Sequence, residues 1–225
     1  GLSMLKKLAL QFTLAASLAS ITACGSSTSD AEYVSNARTY LAKQDYPAAQ
    51  IELKNALMQN SENTAARQLL GKVHIAQGDY LSAEKELSRA LALGASADEI
   101  LPDLSALLLE FRRFDELQAL DTSNLAVDVN RAIVLANQGR AYLAQGDHEN
   151  GASYIEAAYE IAPQALPVMV AKADFLLSQF EEDAARDTLD QALALDKTYP
   201  PAWSLKGDLD FRDRMLESAE ASFSK

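Results

Sequence analysis

Cysteine, histidine, tryptophan and basic charge are scarce in this chain. A single cysteine, Cys24, among 225 residues leaves no disulfide framework to staple the fold. The two histidines, His74 and His148, fit no metal-ligand spacing, and GxSxG, HExxH, phosphate-loop and calcium-loop patterns are absent. Catalysis, a metal and a bound cofactor therefore have no footing in these residues. Aromatic residues make up only 7% of the chain. The first 23 residues hold two lysines and no acid, and the rest carries 18 basic against 32 acidic side chains. Such a surface repels phosphate backbones, which argues against nucleic acid as a partner. The longest apolar stretch, residues 8–23, has 16 residues interrupted by Gln, Thr and Ser. A membrane-spanning helix needs about 20.

What the chain does have is a period. A small residue recurs every 34 positions at Ala37, Gly71, Ser105, Gly139, Ala173 and Gly207. Twelve residues on, the same spacing gives Ala49, Ala83, Leu117, Gly151, Ala185 and Ala219. Four further on it gives Leu53, Leu87, Asp121, Ile155, Leu189 and Phe223. A helix-turn-helix unit of this length cannot bury its apolar stripe alone and must stack on its neighbours, the signature of a tetratricopeptide solenoid. The expected fold is all-α, with about six 34-residue repeats in frames starting at 30, 64, 98, 132, 166 and 200, the last one cut short. Two helices are expected in each frame.

Local chemistry agrees with those frames. Gln77-Gly78-Asp79 and Gln145-Gly146-Asp147 put a glycine where the first helix ends and an aspartate where the second begins. The small column allows the two helices of a pair to approach, and the large apolar column fills the gap beside it. Repeat three departs: Leu117 and Asp121 replace a small and a large apolar residue, and Asp121-Thr122-Ser123-Asn124 is a turn-forming string. A shortened second helix and an irregular stretch over 117–128 are expected. Frame six ends at Lys225 inside its second helix, so a longer array is expected.

The N-terminus has its own pattern. Lys6 and Lys7 precede the apolar stretch, which closes on Ile21-Thr22-Ala23-Cys24. This segment resembles a bacterial lipoprotein signal, with residues 1–23 removed and Cys24 lipidated. Residues 24–30 would form a flexible Gly/Ser/Thr tether, followed by the array over 31–225. In lipoproteins of this kind Gly25 after the cysteine implies the outer membrane.

The runs AAQIELKNALMQN (Ala48 to Asn60), LLGKVHIAQGDYLSAEKELSRALALG (Leu69 to Gly94) and ILPDLSALLLEFRRFDELQAL (Ile100 to Leu120) follow that cysteine. Their order resembles the TPR-repeat lipoproteins associated with PEP-CTERM protein sorting and exosortase loci. The resemblance implies a non-catalytic, membrane-anchored scaffold of the cell envelope that serves protein sorting and exopolysaccharide export. Two other readings stay open: a TPR lipoprotein assisting outer-membrane protein or pilus secretin assembly, and a targeting array with an enzyme domain downstream.

In arrays of this kind the first helix of each pair lines a concave groove. Its ninth position reads Arg38, Lys72, Ala106, Arg140, Asp174 and Asp208. Arg38, Lys72 and Arg140, with Asn137 as a neighbouring donor, are the expected binding residues for carboxylates of a peptide or an acidic polysaccharide. The competing expectation is that they pair with nearby acids. Beside them Leu41, Ile75, Leu109, Leu143, Leu177 and Phe211 form an apolar stripe that either takes an amphipathic helix or packs into the array.

Overall fold

The computed structural model describes residues 28–223, with side chains as far as Leu216. The signal segment, Cys24 and most of the tether lie outside the described residues. Eleven helices are described. Repeat one holds α1 (Asp30–Ala42) and α2 (Tyr46–Gln59); repeat two holds α3 (Thr64–Ala76) and α4 (Tyr80–Ala92). Repeat three holds α5 (Ala97–Glu110) and α6 (Phe114–Gln118), and repeat four α7 (Asp128–Ala144) and α8 (His148–Ile161). Repeat five holds α9 (Leu166–Ser178) and α10 (Glu182–Leu195), and α11 (Pro200–Phe223) fills the sixth frame. Among the described residues no helix is long and apolar enough to cross a membrane.

The helix boundaries follow from side chains that satisfy otherwise orphaned backbone donors. Ser29, Asp45, Asn63, Asp79 and Asp147 each accept the backbone N–H three residues on. The turn inside each pair is built the same way in all five hairpins: Gln44, Gly78, Arg112, Gly146 and Phe180, spaced by 34, adopt φ of 58°, 76°, 55°, 83° and 65°. That left-handed residue ends one helix so that the next can fold back on it.

Buried side chains form four clusters strung along the chain; three join one repeat to the first helix of the next, and the fourth runs from α4 through repeat three to α7. Within a pair the approach is close enough to exclude a side chain. A Cβ on Gly139 would lie 2.6 Å from Ile155 Cγ1. Leu53, Leu87, Ile155 and Leu189 are wholly buried, and each contributes about 1.5–3 kcal/mol of apolar burial. From repeat three on, the first helices α5, α7, α9 and α11 stack directly on one another. They form an inner layer, with the second helices outside it.

Repeat three is rebuilt rather than merely shortened. Its second helix has five residues, and Leu117 and Leu125 fill the space that a longer helix would have covered. Pro102 sits inside α5 and has no N–H to give to the carbonyl of Asp98. Asn130 Nδ2 of the next repeat donates to that carbonyl at 2.9 Å instead. The Asp98 carboxylate in turn accepts the backbone N–H groups of Ala126 and Val127 at 2.9 and 3.0 Å.

The sixth frame differs from the expected pair. α11 is one 24-residue helix, with Arg214 inside it at the position that is left-handed elsewhere. Neither a glycine nor a capping aspartate stands at Arg214-Met215, so the local sequence favours continuing the helix. Among the described residues a Cβ on Gly207 meets nothing within 4 Å.

Candidate functional site

The ninth positions of the first helices stay outside the hairpin cores. Arg38, Lys72, Ala106 and Asp208 are exposed, while Arg140 and Asp174 are half-buried. Among the described residues Arg38 and Lys72 make no ion pair. Lys72 acts at longer range on Asp103 of the next repeat: burial raises the Asp103 carboxyl and the lysine charge partly opposes it. Arg140 is engaged, its Nε donating to Asp174 Oδ2 at the same position one repeat later. The rung therefore runs from free cations in repeats one and two, through a neutralised pair, to an exposed acid in the sixth frame.

Asn137 differs from the expected open donor. It is 4% exposed, and its Nδ2 donates to Ser105 Oγ at 2.9 Å. Ser105 Oγ donates to the Pro102 carbonyl at 2.8 Å. Asn137 thus ties repeat four to repeat three instead of facing a ligand, because the small residue of the third frame carries a hydroxyl that needs a partner. The apolar stripe is likewise taken up: Leu41, Ile75, Leu109, Leu143 and Leu177 are half-buried and pack on the hairpin clusters, and only Phe211 is exposed. Of the histidines, His74 is buried as a packing residue, whereas His148 is exposed at the start of α8.

The polar residue that sequence reasoning missed is Gln138. It is 2% exposed, and its Nε2 donates to the carbonyls of Leu117, Gln118 and Leu120 at 3.1, 3.3 and 3.0 Å. It closes the end of α6 and the turn after it: Leu117 O also accepts the backbone N–H of Leu120, whereas the Gln118 and Leu120 carbonyls rely on Gln138. The signal was an Asn-Gln pair in the core-facing run of the repeat that follows the degenerate one. Among the described residues no group of acids, histidines and cysteines is arranged to hold a metal.

Residues 40–101 and 142–209 match a tetratricopeptide repeat family, and residues 117–166 match a second form of it. The chain belongs to the tetratricopeptide repeat family. As such an array it is similar to YrrB, a tetratricopeptide protein with an unusual peptide-binding site, at 17% identity and TM-score 0.55, over 78% of this chain and 91% of that one. It is similar to pilF of Pseudomonas aeruginosa at 20% identity and TM-score 0.57, over 87% of this chain and 97% of that one. At these identities the likeness is one of fold. RNA polymerase II-associated protein 3 of Mus musculus is 29% identical over 107 residues, a match covering 47% of this chain and 16% of that protein. A tetratricopeptide array is a scaffold that offers surfaces to protein and peptide partners.

Proposed function

We propose that this tetratricopeptide chain is a lipid-anchored scaffold of a bacterial cell envelope, serving PEP-CTERM protein sorting and exopolysaccharide export. Its first-helix groove would receive a carboxylate-bearing partner, either a peptide or an acidic polysaccharide. The observation that carries the binding mode is the pair Arg38 and Lys72, exposed and without an ion pair among the described residues in a chain of net charge -12. A cation that is not neutralised locally in an acidic protein is available to an incoming carboxylate. The anchor rests on the lipobox sequence ending at Cys24, and the system on the order of the motifs that follow it.

Crosslinking in envelopes of the native host tests the groove. With Arg38→Glu and Lys72→Glu together, a sorting or export partner captured by the wild type is lost while the circular dichroism spectrum stays helical. An unchanged partner list removes the groove from the proposal. For the anchor, Cys24→Ala abolishes palmitate labelling, and labelling that survives the substitution would refute lipidation at Cys24.

A further inference from the structure

Two features on different parts of the array remain without a role, and they complement each other. The first is a groove of about 630 Å³ on the outer layer, between α2 and α4, floored by Leu70 and His74 of α3. That volume lies within the roughly 300–1,000 Å³ of typical ligand clefts. Leu57 and Met58 give it an apolar wall, Met58 being 83% exposed. Lys54 and Lys85 line it too, both exposed and without an ion pair among the described residues. At its floor His74 is 8% exposed and its Nδ1 makes no hydrogen bond, although Asp79 Oδ2 lies 3.3 Å away. The groove thus offers apolar contact and two free cations; of the acids that line it, Glu86 is paired with Arg67 and Asp79 stands over His74, whose Nδ1 is itself buried.

The second feature is the turn of repeat five. Phe180 is 89% exposed and holds φ at 65°, where repeats two and four use glycine. A bulky residue in the left-handed region with its ring in water is disfavoured twice over, by backbone sterics and by exposed apolar surface. Directly after it come Glu181, Glu182 and Asp183. Glu182 pairs with Arg212, whereas Glu181 and Asp183 are exposed and carry no ion pair among the described residues. An aromatic tip followed by free acids is the chemical counterpart of an apolar groove flanked by free lysines.

We propose that the Phe180 tip of one copy docks into the α2–α4 groove of a second copy. The ring covers Leu57, Met58 and Leu70, while Glu181 and Asp183 meet Lys54 and Lys85. Tip and groove are different surfaces, so the contact closes a two-fold dimer where both tips reach both grooves at once and otherwise builds rings or open chains. It leaves Arg38 and Lys72 untouched and stands apart from the groove reading above.

Sedimentation velocity of the full chain over a concentration series tests this. The wild type associates with increasing concentration, less so at high salt. Phe180→Gly weakens association by about tenfold or more. It keeps the fold, because glycine already occupies this turn position in repeats two and four. Lys54→Glu with Lys85→Glu weakens association equally. At concentrations where each variant alone is monomeric, an equimolar mixture forms dimers and nothing larger, since one supplies an intact groove and the other an intact tip. A wild type that stays monomeric, or association unchanged by Phe180→Gly, overturns the proposal and leaves the groove to another occupant.

Discussion

At the residue scale, the turn column shows how one backbone requirement is met by different side chains. Gly78 and Gly146 adopt the left-handed conformation freely, while Gln44, Arg112 and Phe180 adopt it against their own sterics. The left-handed region costs a non-glycine residue about 1–2 kcal/mol, and glycine returns about 0.5–1 kcal/mol of that as lost chain entropy. Gln44 is exposed, so Gln44→Gly is expected to stabilise by about 0.5–1 kcal/mol, read as a raised urea midpoint. The inner face of a hairpin responds in the opposite sense. A Cβ at Gly139 would meet Ile155 Cγ1 at 2.6 Å, Gly151 O at 3.0 Å and Ile155 N at 3.1 Å. Two of those three are backbone atoms that cannot swing away. Gly139→Ala should therefore cost about 1–3 kcal/mol of overpacking, against a helix-propensity gain of about 1 kcal/mol. A lowered melting temperature is the expected result, and an unchanged one would mean that α7 and α8 can separate without loss. The glycine was legible from its column, but the same column includes the open Gly207, which sequence does not distinguish from it.

At the scale of an element, repeat three is held by polar contacts from its neighbour. Gln138 supplies Nε2 to three carbonyls at the end of α6. Gln138→Leu keeps similar bulk and strands the Gln118 and Leu120 carbonyls, but it also removes the buried Gln138 Oε1 that has no partner, so the net cost should be about 1 kcal/mol. Hydrogen exchange should then speed up over residues 114–127 before it does elsewhere. The Asp98 carboxylate carries the other end of the same connection, and the N–H groups of Ala126 and Val127 hold its pKa below the usual value. A depressed folded value means that its contribution is present above the unfolded pKa of about 3.9 and is lost as pH falls through the folded value. Asp103 has the opposite sign, because burial raises it and protonation relieves the charged form. Thermal melts from about pH 5 to about pH 2 should fall less steeply in Asp98→Asn than in the wild type. Parallel curves would show that the loop is held by something else. The irregular stretch over 117–128 was visible in the sequence as two broken columns. Its repair was not, because Asn130, Asn137 and Gln138 act across 18 or more residues on acceptors that only the fold brings near.

Across the whole molecule, a core divided into four clusters makes stability a sum of neighbouring interfaces, so the last element is held by its local contacts alone. α11 meets α10 through ion pairs, with Arg186 on Asp210 and Asp213 at 2.5 Å each, Arg212 on Glu182 at 2.6 Å, and Lys206 on Asp190. Asp210 and Asp213 are 50% and 44% exposed, and pairs this wet are worth about 0–1 kcal/mol. Arg186→Ala should therefore leave the main transition in place and speed exchange in α11 alone. A cooperative loss of the entire array would show that α11 is coupled more tightly than its contacts indicate.

The sequence by itself determined the helical period, the hairpins of the first five frames, the capping aspartates and the weakness of repeat three, because each rests on chemistry repeated every 34 residues or confined to a single turn. Tertiary structure alone decided which cations stay free. Arg38, Lys72 and Arg140 occupy the same position in their repeats, yet among the described residues only Arg140 closes an ion pair, with Asp174 one repeat along, while Lys72 reaches Asp103 only at longer range. It also withdrew Asn137 into the contact with Ser105 and opened the groove between α2 and α4. A periodic sequence specifies the unit. Charge neutralisation and open space depend on what stands opposite each residue in the next unit, and that is settled only when the units stack.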